Sequence, residues 1–347
     1  MVAAAFFLSV SERTGRRPEY DRMLEIAGKS SSAFELIRGE KKRLGIDFSH
    51  HHSGMLGPDF TGTTTTLGSR ESKTTAANPN FSAVIFMLIK ELSLNPGDRI
   101  ALNLSGSFPS INIETIIVLE SMGYEPVIIS SLGASTHGAT DPELTYPDME
   151  HLLYSEGIIQ HKSILITPGG DDDIGSNMDQ GLLSSAVARL EGKGYDFMME
   201  ADFDRNLDSR LNLYSNCKAL INVGGNLVSQ FDLVFGGHFK NGHLDAGIQK
   251  NYRNRGLIGA FLSDGKDVIH IIDIKALALE FGMPIDPSKD ETVPGIGEVY
   301  FSHRIYPGWV AAVIIAVFIF ILFGYYYVEK KSIDQSINQI IESEPLD

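Results

Sequence analysis

Two kinds of hydrophobic pattern alternate along the chain. Between Arg17 and Gly45, apolar residues recur at helical spacing (Tyr20, Met23, Leu24, Ile26, Ala27, then Phe34, Leu36, Ile37) with charges between them. This predicts a surface helix or helix pair. From Ile46 to Asn80 the pattern stops in a polar run rich in Gly and Thr, including Thr63 to Thr66. It reads as a long loop, of a kind that is usually functional or disordered. A helix returns over Asn80 to Leu92, and Asn95-Pro96-Gly97-Asp98 marks a turn. The second pattern then begins. Arg99 to Leu104 is a strand, Ser105-Gly106-Ser107 a tight turn, and Pro109 suits the first turn of a helix that runs through Asn112 to Met122. Gly123 ends that helix and Glu125 to Ser130 is the next strand, giving a β-α-β unit. The motif recurs: Ser163 to Thr167 before Pro168-Gly169-Gly170, a helix over Gly181 to Leu190, Ala219 to Val223 before Gly224-Gly225-Asn226, and Val268 to Ile272 before Asp273 and a helix through Phe281. The expected fold is α/β, a doubly wound, mostly parallel sheet with Gly-rich strand-to-helix loops. Ligands of such sheets bind beyond the carboxyl ends of the strands. No short fixed period is present, which argues against a solenoid.

Both ends of the chain are apolar. No charged residue occurs from Ile305 to Val328, and Trp309 to Val328 alone is 20 residues, about 30 Å of helix, the thickness of a bilayer's hydrocarbon core. Tyr306 and Trp309 at one end, and Tyr325, Tyr326 and Tyr327 at the other, match interfacial aromatic belts. The expected organisation is an apolar N-terminal segment (1–16), an α/β domain (17–300), one C-terminal transmembrane helix (305–328) and a short polar tail (329–347). Lys330 and Lys331 follow the span and only Arg304 precedes it. The positive-inside rule therefore puts the tail in the cytoplasm and the main domain outside, at the cell membrane. The opening MVAAAFFLSV is too short to cross a bilayer and lacks a basic leader region. It reads either as a packed or interfacial helix or as the remnant of a truncated membrane helix. The second would explain how the domain reached the outside.

Charge narrows the function classes. With 44 acidic and 29 basic residues the net charge is -15, so no nucleic-acid partner is expected, since such binding needs a basic face. The lone Cys217 excludes an intrachain disulfide and a cysteine-based zinc site. It sits just ahead of an apolar strand, as a core residue would.

The candidate chemistry lies in the loops after strands. Ser105, Gly106 and Ser107 offer N–H groups and hydroxyls to an anion, or form a close-packed turn. Neither a dinucleotide fingerprint nor a P-loop is present. Gly169 and Gly170 lead into Asp171, Asp172 and Asp173, where Asp171 and Asp173 are candidates to hold a divalent cation, Mg²⁺ or Ca²⁺; the alternative is a solvated, helix-capping loop. In the polar loop Ser130 to Asp148, Thr136 contributes a hydroxyl, and His137 and Asp141 are a candidate acid–base pair, although no nucleophile elbow is present. Gly224, Gly225 and Asn226 form the fourth such loop. Lys73 reads as a positive contact in a mobile loop or as a solvated side chain. His50-His51-His52 resembles a metal tract but has no second cluster.

The same loops carry a resemblance. GMLGPDFTGTTTTLGSRESKTTAANPNF, LNLSGSFPSIN, ISSLGASTHGATDPELTYPDME and PGGDDDIG are similar to the membrane-associated family called poly-gamma-glutamate system protein, over Arg17 to Gly225. That family is encoded beside the ligase and export genes for capsular or released poly-γ-glutamate. The resemblance implies a part in making, exporting or retaining the polymer at the cell envelope, with the polymer or synthase and export subunits as partners. It supplies no catalytic residues. Two classes of function follow: a membrane-anchored accessory component that binds the polymer or the synthase, or an enzyme that hydrolyses or transfers γ-glutamyl amides. No complete nucleophile–base–orienter set is legible in the sequence, which favours the first.

Overall fold

A computed structural model describes residues 12–49, 51–170, 172–230, 239–247, 256–305 and 307–343. The apolar start of the chain, His50 and Asp171 lie outside them. The chain divides into two compact units, Pro18–Tyr300 and the pair Met1–Arg17 with Phe301–Asp347. The smaller unit opens with β1 (Glu12–Arg16).

The larger unit begins with α1 (Tyr20–Leu44), which buries Met23, Ile26, Ala27, Phe34 and Ile37 as its spacing requires. Gly45, at φ 71°, ends the helix in the left-handed conformation. The presumed loop that follows contains structure: β2 (Thr64–Thr66) and α2 (Arg70–Ala76). The α2 start is fixed by Ser69, whose hydroxyl accepts from the Ser72 N–H. Then come α3 (Phe81–Lys90), β3 (Arg99–Leu104), α4 (Pro109–Met122) and β4 (Glu125–Ser131). The loop expected over Ser130 to Asp148 is likewise shorter, because β5 (Ala134–Ser135) and α5 (Tyr146–Ser155) occupy its ends. A capping box of Thr145 and Asp148 starts α5. The remaining elements are β6 (Leu165–Thr167), α6 (Gln180–Glu191), α7 (Phe203–Leu213), β7 (Ala219–Val223), α8 (Leu227–Gln230), β8 (Gly242–Leu244), α9 (Leu257–Ser263), β9 (Val268–Ile271) and α10 (Ile274–Glu280).

Six strands form one sheet in the order β6-β4-β3-β7-β9-β8. All pairs are parallel except β8 with β9. The fold is therefore mixed α/β with a mostly parallel sheet. Central strands of such sheets are buried on both faces, and Ile100, Ala101, Leu102 and Leu104 of β3 are all inaccessible or nearly so. One face packs Ala101, Ile129 and Leu220 against Leu207 of α7, Tyr214 just after it, and Leu257 and Phe261 of α9. Cys217 lies in the same cluster, and its burial pushes the thiol up to about 11.

In the smaller unit, β10 (Phe301–Ile305) pairs antiparallel with β1, Arg16 opposite Phe301 and Glu12 opposite Ile305. The apolar C-terminal helix, α11 (Pro307–Ser343), continues well past Val328. Its polar second half contains neither Gly nor Pro until Pro345, so nothing local stops it. Ala312–Ile337 is long and apolar enough to cross a membrane, and its apolar side chains are exposed, Phe320 by 80%.

A row of buried polar side chains crosses the larger unit. Asn103, Asn222 and His270 stand side by side on β3, β7 and β9. Arg210 of α7, 2% exposed, donates to Asn103 Oδ1 (2.6 Å) and to Asp173 Oδ2 (2.6 Å). Asp173 also accepts from Thr167 Oγ1 (2.7 Å) and Asn206 Nδ2 (3.0 Å). Breaking a buried pair strands the surviving charge in a medium that solvates it poorly. Arg210→Met should therefore destabilise the protein by about 3–5 kcal/mol, read from denaturant unfolding at pH 7. A loss below about 1 kcal/mol, the worth of a surface pair, would show that the row does not hold the fold.

Candidate functional site

Strand order locates the site. From β3 the chain moves outward through β4 to β6, then returns to the other side of β3 as β7. The loops after β3 and β7 thus diverge, leaving a crevice at the carboxyl edge of the sheet, where ligands of open α/β sheets bind. A cavity of about 440 Å³ opens there. Loops after all five parallel strands line it: Ser105, Ser107 and Phe108 after β3, Ser131, Gly133 and Ser135 at and beyond the end of β4, Gly169 and Gly170 after β6, Gly224 to Leu227 after β7, and Ile272 after β9. Thr65 to Ser69, Ser72 and Lys73, from β2 and α2, close the remaining side.

The walls are held by their own hydroxyls. Ser107 Oγ accepts from Ser105 Oγ (3.0 Å) and from the Ser135 N–H (3.0 Å). Thr136 Oγ1 accepts from the Gly68 N–H (2.7 Å) and donates to the Gly68 carbonyl (3.0 Å), tying the β2–α2 connection to the end of β5. Gly106 is packed tightly: a Cβ there would sit 2.8 Å from the Gly133 carbonyl oxygen. Its glycine serves the fit of the β3 turn against the β4 turn, and Ser105 and Ser107 on either side face the cavity.

Lys73 is the one charged side chain in the lining among the described residues. It is 3% exposed. Its Nζ donates to the Ser107 carbonyl (2.5 Å), lies 2.7 Å from Ser135 Oγ and is 3.7 Å from the centre of the Phe108 ring. No carboxylate pairs with it among the described residues. Burial without a counter-charge penalises the ammonium, which lowers its pKa to about 7. Near neutrality this lysine is therefore both an amine and an ammonium in comparable amounts.

The residues expected to act divide in two. Ser105, Ser107, Gly169, Gly170, Gly224, Gly225 and Asn226 line the cavity, as their positions after strands implied. Gly106, Thr136, His137, Asp141 and Asp173 do not. The expected acid–base pair is replaced by two others: His137 Nδ1 lies 3.0 Å from Asp59 Oδ1, and Asp141 Oδ2 lies 2.7 Å from the buried Lys41 Nζ. Asp173 faces inward onto Arg210 rather than outward as a cation ligand, from a left-handed backbone at φ 61°. Asp171, its candidate partner for a divalent cation, falls outside the described residues. Among the described residues no three His, Cys, Asp or Glu side chains gather as metal ligands. His52 lies in a smaller cavity with Phe34, Arg38 and Thr292. Ser135 and the burial of Lys73 were not legible in the sequence. The one signal was Ser69, a helix-capping residue that turns the Arg70-Glu71-Ser72-Lys73 run into a helix and so gives Lys73 a fixed direction.

Comparison of the chain with protein-family models, curated proteins and solved structures finds no match.

The folded chain releases the Lys73 proton near pH 7, whereas an unfolded lysine holds it to about 10.4. Between those values the unfolded state binds more protons, so unfolding free energy should rise with pH, by up to about 1.4 kcal/mol per pH unit from this group. Lys73→Met should remove that contribution, measured as the difference between wild-type and variant urea unfolding curves at pH 6, 8 and 9.5. A difference that stays constant with pH would place the Lys73 pKa at its ordinary value.

Proposed function

We propose that the protein is a membrane-anchored accessory component of poly-γ-glutamate biosynthesis or export at the cell envelope, and that its α/β unit binds a γ-glutamyl segment in the cavity at the sheet edge. One observation carries this reading: in a chain of net charge -15, the cavity lining contains many hydroxyls and backbone amides and, among the described residues, no acidic side chain. Such a lining suits a carboxylate, which needs several donors and no neighbouring anion. A γ-linked glutamate presents a free α-carboxylate on every residue. The reading takes the sheet as doubly wound, with the ligand among its glycine-bearing strand-to-helix loops. The resemblance in Arg17 to Gly225 supplies the polymer; synthase or export subunits are the proposed protein partners.

The test is direct binding. Purified full-length protein in detergent micelles should bind a γ-linked glutamate oligomer in equilibrium dialysis. Ser72→Asp, which places a carboxylate in the lining, should weaken binding at least about ten-fold, the effect of 1.4 kcal/mol of repulsion. Equal affinity in the two proteins would mean the oligomer binds elsewhere or not at all.

The proposed location is the cell membrane, with α11 as a single-pass anchor and the α/β unit outside, because Lys330 and Lys331 follow the apolar stretch. Truncation before Pro307 should release the protein from the membrane fraction, and Ile315→Arg should cost about 2.5–3.5 kcal/mol of insertion. A truncated protein that still requires detergent for extraction would show that another segment holds it.

A further inference from the structure

We infer that Ser135 is a nucleophile and Lys73 its general base, making the cavity an acyl-transfer site for amides or esters whose acyl part bears a carboxylate. The carboxylate in that statement rests on the binding proposed above; the serine–lysine pair rests on geometry alone. Three features point to it.

The first is the surroundings of Lys73 Nζ. A neutral amine has two N–H groups and one lone pair. The Ser107 carbonyl at 2.5 Å can only accept, so it takes one N–H, and the face of the Phe108 ring at 3.7 Å attracts the other. Ser135 Oγ, which accepts from the ammonium at 2.7 Å, is among the described residues the one hydroxyl bonded to Nζ, and in the neutral amine the lone pair is left for its O–H. The second is access. Ser135 lines the cavity, and a Cβ at Gly68 would sit 2.8 Å from its Oγ, so glycine at that position keeps the hydroxyl open. The third is fixation: the Ser135 N–H donates to Ser107 Oγ, and the Thr136–Gly68 pair of hydrogen bonds secures the next residue. Burial, which brings Lys73 to about 7, supplies the neutral amine near physiological pH.

The reaction is as follows. Lys73 takes the Oγ proton as Oγ bonds to the acyl carbon, and the carbonyl π pair moves onto oxygen. Ser69 and Ser131, whose hydroxyls also line the cavity, carry O–H groups of the kind that would donate to that charge. The oxyanion collapses, the bond from carbon to the leaving nitrogen or oxygen breaks, and the Lys73 ammonium returns the proton to the leaving group. Water then attacks the Ser135 ester with Lys73 again as base, releasing the acid and restoring the serine; an amine in place of water gives transfer.

The experiment uses the full-length protein in detergent micelles and a fluorophosphonate, which phosphonylates activated serines. The expected result is modification of Ser135, located by peptide mass, at a rate that rises with pH through about 7 as Lys73 loses its proton. Lys73→Met should slow it at least about 100-fold, and Ser135→Ala should abolish it. Release of nitroaniline from γ-glutamyl-p-nitroanilide should follow the same pattern. Ser135→Ala removes only one oxygen, and a urea unfolding midpoint and far-UV circular dichroism matching the wild type serve as its folding control. An unmodified wild-type protein, or modification that persists in Ser135→Ala or is indifferent to Lys73, would overturn the dyad. Oligomer binding without modification leaves the binding proposal standing and the dyad wrong; modification without oligomer binding leaves the dyad standing and the ligand wrong.

Discussion

The guanidinium of Arg210 lies almost entirely out of water, and the geometry of the site follows from how it is neutralised. Burying a charge costs several kcal/mol unless geometry and extra hydrogen bonds offset it. Asp173 supplies the counter-charge, Asn206 Oδ1 accepts from Nε at 2.9 Å, and Asn103 accepts from Nη1. Two of these partners, Asp173 and Asn103, stand just after or just before a loop that lines the cavity. Asp173 is three residues beyond Gly170, and its inward turn sets the course of the β6 loop. Asn103 passes its other end to Asn222 Oδ1 (2.6 Å), and Asn222 Nδ2 donates to the Gly224 carbonyl (2.7 Å). Asn222 also lies 3.1 Å from His270 Nδ1, and burial lowers that imidazole to about 4, so it is neutral at physiological pH. One buried cation thus fixes two walls of the crevice through hydrogen bonds that have no water to compete with them.

The two buried lysines show how burial separates structure from chemistry. Lys41, fully inaccessible, meets Asp141 and the Leu56 carbonyl (2.7 Å). Burial lowers its pKa and the charge of Asp141 opposes that effect. The pair clips α1 to the loop after β5. Lys73 is nearly as buried and has a carbonyl, a hydroxyl and an aromatic face in place of a carboxylate. For stability alone a methionine would serve better at that position. An amine that is easily deprotonated beside a hydroxyl is what the arrangement offers instead.

The sequence displayed the strands because buried parallel strands read as short apolar runs ending in glycine turns; Ala219 to Val223 and Arg99 to Leu104 coincide with β7 and β3. That also placed four of the lining loops. What it did not display was direction. Asp171, Asp172 and Asp173 are chemically identical in sequence, and the inward course of Asp173 comes from its left-handed turn, which the sequence does not announce. His137 and Asp141 are close in sequence, but partners distant in the chain, Asp59 and Lys41, claim them. Ser135 belongs to a two-residue strand whose partner, β2, lies some 70 positions earlier, and periodicity carries no trace of so short a parallel pair. Edge strand β8 and helix α2 are too short for a pattern to build up.

For the γ-glutamyl ligand proposed above, size decides what part of the polymer the crevice can take. At about 440 Å³ it is in the lower part of the range for small-molecule pockets. A long polyanion laid over this surface would meet the field of a chain with net charge -15. A short segment or a chain end meets only the local donors of the lining. The arrangement therefore favours recognition of a unit over retention of a strand. It also brings the two functional classes together, because a pocket that holds one carboxylate-bearing unit beside Ser135 and Lys73 is equally the pocket in which a bond to that unit would be cut or exchanged.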